Sequence, residues 1–186
     1  MGNLNEACLA NTKDIFHHWV ENDAGGQTCK FCLTVLVEDK EPERPTWPSV
    51  WMQVAKTIAL RSIDPALKVG AIVVSSNNTQ MLSVGYNGMW KGGPNHVESL
   101  ERGKSGTVHA EVNALVKCDY NFARPKHMYV TNSPCKECAK LIVNAEIARV
   151  VYEIPYRITD GIDLLKSAGV EVLTLQEAIY QALARR

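Results

Sequence analysis

The sequence predicts a three-layer α/β/α domain on a mixed central sheet. Three observations carry this reading. Two apolar, strand-like runs, residues 69–74 and 81–86, are separated by Ser76-Asn77-Asn78-Thr79, whose composition favours a turn, so they pair as an antiparallel hairpin. After the hairpin, stretches with helical apolar spacing alternate with short β-branched runs. Strands joined through helices lie parallel, by right-handed crossovers, and their helices cover the sheet.

The chain has 186 residues, of which 46% are hydrophobic and 22% charged. That is the composition of a globular protein with enough length for a good core. Lys and Arg number 20, as do Asp and Glu, so the formal net charge is zero. No basic excess exists to hold a nucleic-acid backbone, and nucleic acid is not an expected partner. No apolar run approaches a membrane span. Met1-Gly2-Asn3-Leu4-Asn5-Glu6 fits neither a secretory signal nor a myristoylation site. The six cysteines are therefore expected as thiols or metal ligands in a reducing cytoplasm.

Residues 1–46 form an expected appendage to a domain spanning residues 47–186. The appendage holds Cys8, His17-His18, Gly25-Gly26 and Cys29-Lys30-Phe31-Cys32, then a charged run with prolines that reads as a linker. It is too small to build its own core. Cys29, Cys32, His17, His18 and Cys8 could staple it through a structural zinc, the alternative being reduced thiols on a docked segment.

In the domain, Ser49 is the expected cap of a first helix, which Ile63-Asp64-Pro65 ends. The hairpin follows and runs into Asn87-Gly88. Residues 89–106 are polar and glycine-rich, a long loop of the kind that is usually functional or mobile. Residues 108–117 read as a helix with His109 and Glu111 in its first turn. Residues 127–131 are a strand, and Pro134 suits the first turn of a helix over residues 135–145. Three further elements follow, a strand over 150–154, a helix over 161–168 ended by Gly169, and a strand over 170–173. A helix over 175–184 closes the chain.

Two motifs carry chemistry. His109-Ala110-Glu111 and Pro134-Cys135-Lys136-Glu137-Cys138 each occur once, and each stands where a helix begins. One imidazole and two thiolates suit zinc, and three protein ligands leave the fourth tetrahedral position open, as in a catalytic site. Glu111 is not needed as a ligand and can move protons beside an activated water. Alone, His109 would read as a core histidine, and the C-x-x-C as a redox pair or structural zinc knuckle. Together, H-x-E and P-C-x-x-C form the known signature of zinc-dependent nucleobase deaminases.

With these motifs in view, the chain resembles the deoxycytidylate (dCMP) deaminase family of the cytidine deaminase-like zinc-dependent superfamily. The resemblance runs from about residue 51 to residue 173. It rests on Arg61-Ser62-x-Asp64-Pro65 leading into Val69-Gly70-Ala71, and on Gly85-Tyr86-Asn87-Gly88. Cys138-Ala139-Lys140-Leu141-Ile142 and Leu164-Leu165-x-x-Ala168-Gly169-Val170 extend it. Two stretches depart from the family pattern: Met89-Trp90-Lys91-Gly92-Gly93-Pro94-Asn95, and residues 1–46.

The resemblance implies the cytidine deaminase-like fold and zinc-dependent hydrolysis of dCMP to dUMP and ammonia, supplying thymidylate synthesis. It implies zinc on His109, Cys135 and Cys138, with Glu111 as the catalytic proton carrier. Asn87 would touch the deoxyribose, with Tyr86, Gly88 and Ala110 beside the substrate. A cytoplasmic homohexamer regulated by dCTP and dTTP, with Mg2+ accompanying the effector, is implied as well. The alternatives are a deaminase of a 5-substituted dCMP, a tRNA or polynucleotide deaminase, and a catalytically silent nucleotide-binding regulator. The neutral charge speaks against a polymer substrate, and the intact Glu111 against a silent site.

Overall fold

The computed structural model describes residues 19–21, 27–29, 35–36, 44–101, 103–121, 125–156 and 158–185. The chain divides into two units, Met1–Arg44 and Pro45–Arg186. In the first, β1 (Trp19–Glu21), β2 (Gln27–Cys29) and β3 (Val35–Leu36) form an antiparallel sheet in that order. Strands of two or three residues are too short to show an alternating pattern, so the sequence gives no sign of them. Of the expected structural-zinc residues, Cys29 ends β2, while Cys8, His17, His18 and Cys32 lie outside the described residues.

The second unit is built on five strands, β4 (Gly70–Ser75), β5 (Met81–Tyr86), β6 (Lys126–Asn132), β7 (Ile147–Ile154) and β8 (Glu171–Thr174). Their order across the sheet is β5-β4-β6-β7-β8. The hairpin pairs antiparallel, β4 also runs antiparallel to β6, and β6, β7 and β8 are parallel. The sheet is therefore mixed, as expected. Every residue of the inner strands β4 and β6 is buried, whereas the edge strand β5 alternates. Burial on both faces matches the apolar run Ala71-Ile72-Val73-Val74 of β4, whereas β6 buries Lys126, His127, Thr131 and Asn132 as well.

Five helices cover the sheet: α1 (Trp47–Ala59), α2 (Ala110–Val116), α3 (Lys136–Asn144), α4 (Asp160–Ser167) and α5 (Leu175–Leu183). Side chains on a strand alternate between faces, and the two cores follow that alternation. Ala71, Val73, Met128, Val130 and Val150 pack with Ala114 and Leu115 of α2, Ile142 of α3 and Leu165 of α4. Ile72, Val74, Tyr129 and Val151 pack with Trp51, Met52 and Ala55 of α1 and Ala178 of α5. Three layers result, with α2, α3 and α4 on one face and α1 and α5 on the other.

Several element ends differ from expectation. The cap of α1 is Thr46, not Ser49. Thr46 Oγ1 accepts from the Ser49 N–H, and Pro48, which lacks an N–H, fits the first turn. That helix stops at Ala59, four residues before the expected Ile63. His109 and Cys135 are the caps of α2 and α3 rather than residues inside their first turns, and Pro134 stands outside the helix. β7 begins at Ile147, three residues early, because Glu146 at φ 56° turns the chain sharply after α3. A capping box at Thr174 and Glu177 fixes the start of α5. Among the described residues no helix is long and apolar enough to cross a membrane.

Candidate active site

The site lies where β5 and β6 end and α2 and α3 begin. Several contacts hold α2 there. Asn113 Nδ2 donates to the Tyr86 carbonyl at 2.9 Å, tying the helix to the end of β5. Gly88 and Val108 form a two-way backbone bridge, with N···O distances of 3.1 and 2.8 Å, that closes the long 89–107 excursion just before His109. At Gly85 a Cβ would strike the Ala110 carbonyl and the Ala114 amide, so only glycine lets α2 pack this close to β5. On the other side, β6 runs straight through Asn132, Ser133 and Pro134 into the cap of α3. The cap residues His109 (φ −65°, ψ 152°) and Cys135 (φ −71°, ψ 169°) are both extended.

This arrangement converges three ligand atoms. His109 Nδ1 lies 3.3 Å from Cys138 Sγ and 3.6 Å from Cys135 Sγ. All three atoms fall within 4.8 Å of one another. Zinc bonds of about 2.0 Å to nitrogen and about 2.3 Å to sulfur, at a tetrahedral angle, require an N···S separation of about 3.5 Å. The group therefore fits zinc in both chemistry and spacing. The Cys138 N–H also donates to Cys135 Sγ at 3.5 Å.

Of the two thiols, Cys135 is the one poised as thiolate. Hydrogen bonds from Cys138 and then His109 pull its pKa down to about 3, against the opposing effect of burial. Cys138 is pushed up, first by that same hydrogen bond and then by burial. The two shifts are opposite because the sulfurs share one proton, and a bound cation would displace it. His109 is held above its ordinary value, chiefly by its hydrogen bond to Cys135.

Glu111 sits in the first turn of α2 and is 4% exposed. Burial, above all, raises its pKa. A backbone hydrogen bond and the nearby His109 act the other way. A carboxyl pushed towards neutrality can both take and return a proton, which is what a general acid–base group must do.

One cavity opens onto these groups. Its walls come from residues 64–67, Val69, Asn87, the excursion after it, the start of α2, the β6–α3 turn and Tyr156. Asn87 lines it and braces a wall: its Oδ1 accepts from the Val69 N–H, and its Nδ2 donates to the Leu67 carbonyl, both at 2.8 Å. Asp64 Oδ1 accepts from the Ala66 and Leu67 amides and turns the same segment. Among the described residues no lysine or arginine lines the cavity.

Residues 45–154 match the sequence pattern of the cytidine and deoxycytidylate deaminase zinc-binding region. The chain belongs to this deaminase family. It is 38% identical to human deoxycytidylate deaminase over 57% of its length and 64% of the human protein's. It thus spans just under two thirds of that relative. ComE operon protein 2 of Bacillus subtilis is 35% identical over 70% of this chain and 71% of its own. The crystal structure of dCMP deaminase from the cyanophage S-TIM5 in complex with dCMP and dUMP superposes with a TM-score of 0.59. It is 36% identical, over 68% of this chain and 94% of that one.

Against this deaminase frame, the expected residues fall into three groups. His109, Cys135, Glu111, Ala110 and Asn87 line the cavity, while Cys138 is buried beside His109 and Cys135 and does not line it. Tyr86 and Gly88 do not line it; they act through their backbones, on Asn113 and Val108. The third group, missed in the sequence, includes Asp64, Asn132, Ser133 and Tyr156. Asn132-Ser133 directly precede Pro134-Cys135, so a metal motif read two residues wider would have included them. Tyr156 has no such signal. It reaches the site because β7 runs parallel to β6, with Ile154 opposite Asn132 and the Tyr156 N–H donating to Ser133 Oγ at 2.6 Å.

Proposed function

We propose that this deaminase hydrolyses dCMP to dUMP and ammonia. The observation that carries the proposal is Glu111, buried beside a His-Cys-Cys group whose spacing fits zinc, in a cavity open to solvent. Zinc, when bound by His109, Cys135 and Cys138, would supply an acidified water. Glu111 would take a proton from the attacking water and deliver it to ring N3 of the cytosine as the water oxygen adds to C4. Glu111 would then move the proton of the new C4 hydroxyl to the exocyclic amine, which leaves as ammonia, and the ring keeps the oxygen as the uracil carbonyl. The free N–H groups at the starts of α2 and α3, near Ala110 and Cys135, are set to meet charge that builds on the ring. Asn87 keeps one amide N–H beyond its bond to Leu67, available to a sugar hydroxyl.

The substrate is read as a deoxynucleoside monophosphate. The family resemblance, the relatives' names and the neutral net charge all support this. The test loads the protein with zinc and follows ultraviolet loss of the amino base from dCMP, deoxycytidine, CMP, dCTP, single-stranded DNA and tRNA. dCMP should be turned over fastest. Faster turnover of single-stranded DNA or tRNA would overturn the choice.

Further assignments belong to the same reading. The enzyme works in the cytoplasm for thymidylate synthesis, assembles as a homohexamer, and responds to dCTP and dTTP with Mg2+. All of these rest on the family resemblance. Residues 1–46 are an appendage stapled by a second, structural zinc, supported by the Cys29-x-x-Cys32 spacing. Metal analysis should find about two zinc per chain, falling to about one in a Cys29→Ser/Cys32→Ser variant, since each closed site holds one ion. About one in both proteins would remove the second site.

A further inference from the structure

Two glycines flank the metal group, one beside each helix that carries it. Gly85 lets α2 approach β5. Gly161, in the first turn of α4, stands in the same relation to α3. It is buried, and a Cβ placed on it would lie 2.9 Å from both the carbonyl carbon and the carbonyl oxygen of Cys135, and closer still to the Pro134 carbonyl oxygen. These are backbone atoms, so no side-chain rotation would relieve the clash. The start of α4 therefore rests directly against the backbone that carries the Cys135 ligand.

Both sides of this contact are anchored. Ile162 and Leu165 of α4 are buried, and Leu165 belongs to the core shared with α2 and α3. The Asp163 N–H donates to the Thr159 carbonyl at 3.0 Å and closes the first turn of the helix. On the other side, the Cys135 carbonyl accepts from the Ala139 N–H at 2.9 Å. The chain leaving β7 also grips the residue before Pro134. The Ser133 N–H donates to the Ile154 carbonyl at 2.9 Å, and Ser133 Oγ accepts from the Tyr156 N–H at 2.6 Å. Ser133, Pro134 and Cys135 are thus held in succession by Ile154, Tyr156 and Gly161. The Lys136–Asp160 pair nearby is exposed and 4.0 Å long, so it adds little. On the zinc reading given above, we infer that Gly161 is a positioning residue: without a side chain, it lets α4 set the place of Cys135 among the ligands.

The magnitudes decide whether one methyl group matters. Atoms in ordinary contact stay about 3.5 Å apart, so even alanine at this position demands a backbone shift of about 1 Å. Metal–ligand distances tolerate only about 0.2 Å. A third of the shift, taken up by Cys135, already exceeds that tolerance. Loss of the groups that orient metal ligands typically costs about 10–100-fold in metal affinity. Gly169 supplies the control. It follows α4 at its other end, at φ 82°, and a Cβ there meets nothing within 4 Å. Gly169→Ala therefore strains the backbone and destabilises the fold without pressing on Cys135.

The experiment takes the full chain as wild type, Gly161→Ala and Gly169→Ala. It measures zinc affinity by competition with a chelator, the absorption spectrum with cobalt(II) in place of zinc, and the melting temperature. Any ion held by residues 1–46 is common to all three proteins and cancels. Gly161→Ala should bind zinc about 10–100-fold more weakly than wild type. Its cobalt form should lose part of the thiolate-to-metal absorption. Gly169→Ala should melt lower than wild type yet keep both the affinity and the spectrum. Wild-type affinity and spectrum in Gly161→Ala would overturn the assignment, because α4 then yields and Gly161 serves packing alone. Equal zinc loss in both variants would overturn it too, since lowered stability then explains the loss. Should Gly161→Ala fail to fold, hydrogen exchange on wild type decides. Zinc should slow the Asp163 amide, in the first turn of α4, far more than the Ala168 amide, which bonds to the Leu164 carbonyl at the other end. No slowing at Asp163, or equal slowing at both, counts against Gly161. Absence of dCMP turnover in wild type, with zinc affinity still following Gly161, would sink the substrate reading and leave this one standing.

Discussion

Acid should weaken this fold through one buried histidine, near the start of β6 and so at the strand's other end from Cys135. His127 is 8% exposed, and its Nδ1 has no hydrogen-bond partner among the described residues. It stands next to Arg149, and Arg149 next to Glu171, in a row across β6, β7 and β8. Burial first, and then the Arg149 guanidinium, lower its pKa from 6.5 to about 4, with Glu171 opposing. The unfolded chain would accept a proton near 6.5, while the folded chain refuses it until about 4. Stability is therefore complete above the unfolded value and is lost as pH falls through that window. At about 1.36 kcal/mol per pKa unit, the loss is about 3 kcal/mol. Urea unfolding of wild type and His127→Leu, between about pH 7.5 and about pH 4, isolates this contribution. Acid release of metal weakens both proteins and cancels in the difference. The advantage of the leucine variant over wild type should grow by about 3 kcal/mol across the range. Parallel stability curves for the two proteins would refute the reasoning.

Three other outcomes follow from the site. Glu111→Gln should keep its zinc and lose at least about 10²-fold in turnover, because the lost group transfers protons rather than binding metal; retention of more than about a tenth of wild-type activity would contradict that role. Cys138→Ser should lose zinc by metal analysis, since Cys138 is buried and its thiolate has no substitute nearby; full zinc content would refute its place among the ligands. Gly85→Ala should lower stability by about 1–3 kcal/mol, the usual cost of overpacking, and reduce turnover as well, because the added Cβ meets the backbone of α2; an unchanged melting temperature would show that α2 yields without cost.

The layers of the fold and the metal ligands were legible for a common reason. Both depend on periodicity and spacing, which one strand or one helix turn carries in itself. Val73 and Ile72 already point to opposite cores by simple alternation. The C-x-x-C spacing already brings Cys135 and Cys138 together on a one-turn scale. Tyr156 and Asn132 were not legible in this way. Tyr156 reaches the cavity through a parallel pairing between strands distant in sequence. Asn132 Oδ1 accepts from the Thr131 hydroxyl, which itself accepts from the N–H of Gly70, 61 residues before Thr131. Asn87 was found as a site residue, but its bracing of Leu67 and Val69 is a tertiary fact.

The small shift in helix starts has a larger consequence than its size. Reading His109 and Cys135 as residues of a first helical turn would place them on the helix surface, pointing back along the axis. As caps they are extended, at ψ 152° and 169°, and their side chains leave the end of the helix instead. A shift of one residue in either start would turn the following side chains by about 100° about the axis. Glu111 would then leave its buried place in the first turn of α2. Cys138, one turn into α3, would no longer lie 3.3 Å from His109 Nδ1. The contacts that fix those two starts are thus part of the chemistry at one remove. For α2 they are the Gly88–Val108 bridge and the bond from Asn113 to Tyr86. For α3 they are the Cys138 N–H on Cys135 Sγ and the Ser133 N–H on the Ile154 carbonyl. Gly88 and Tyr86, which touch no part of the cavity, hold the register on which His109 and Glu111 depend.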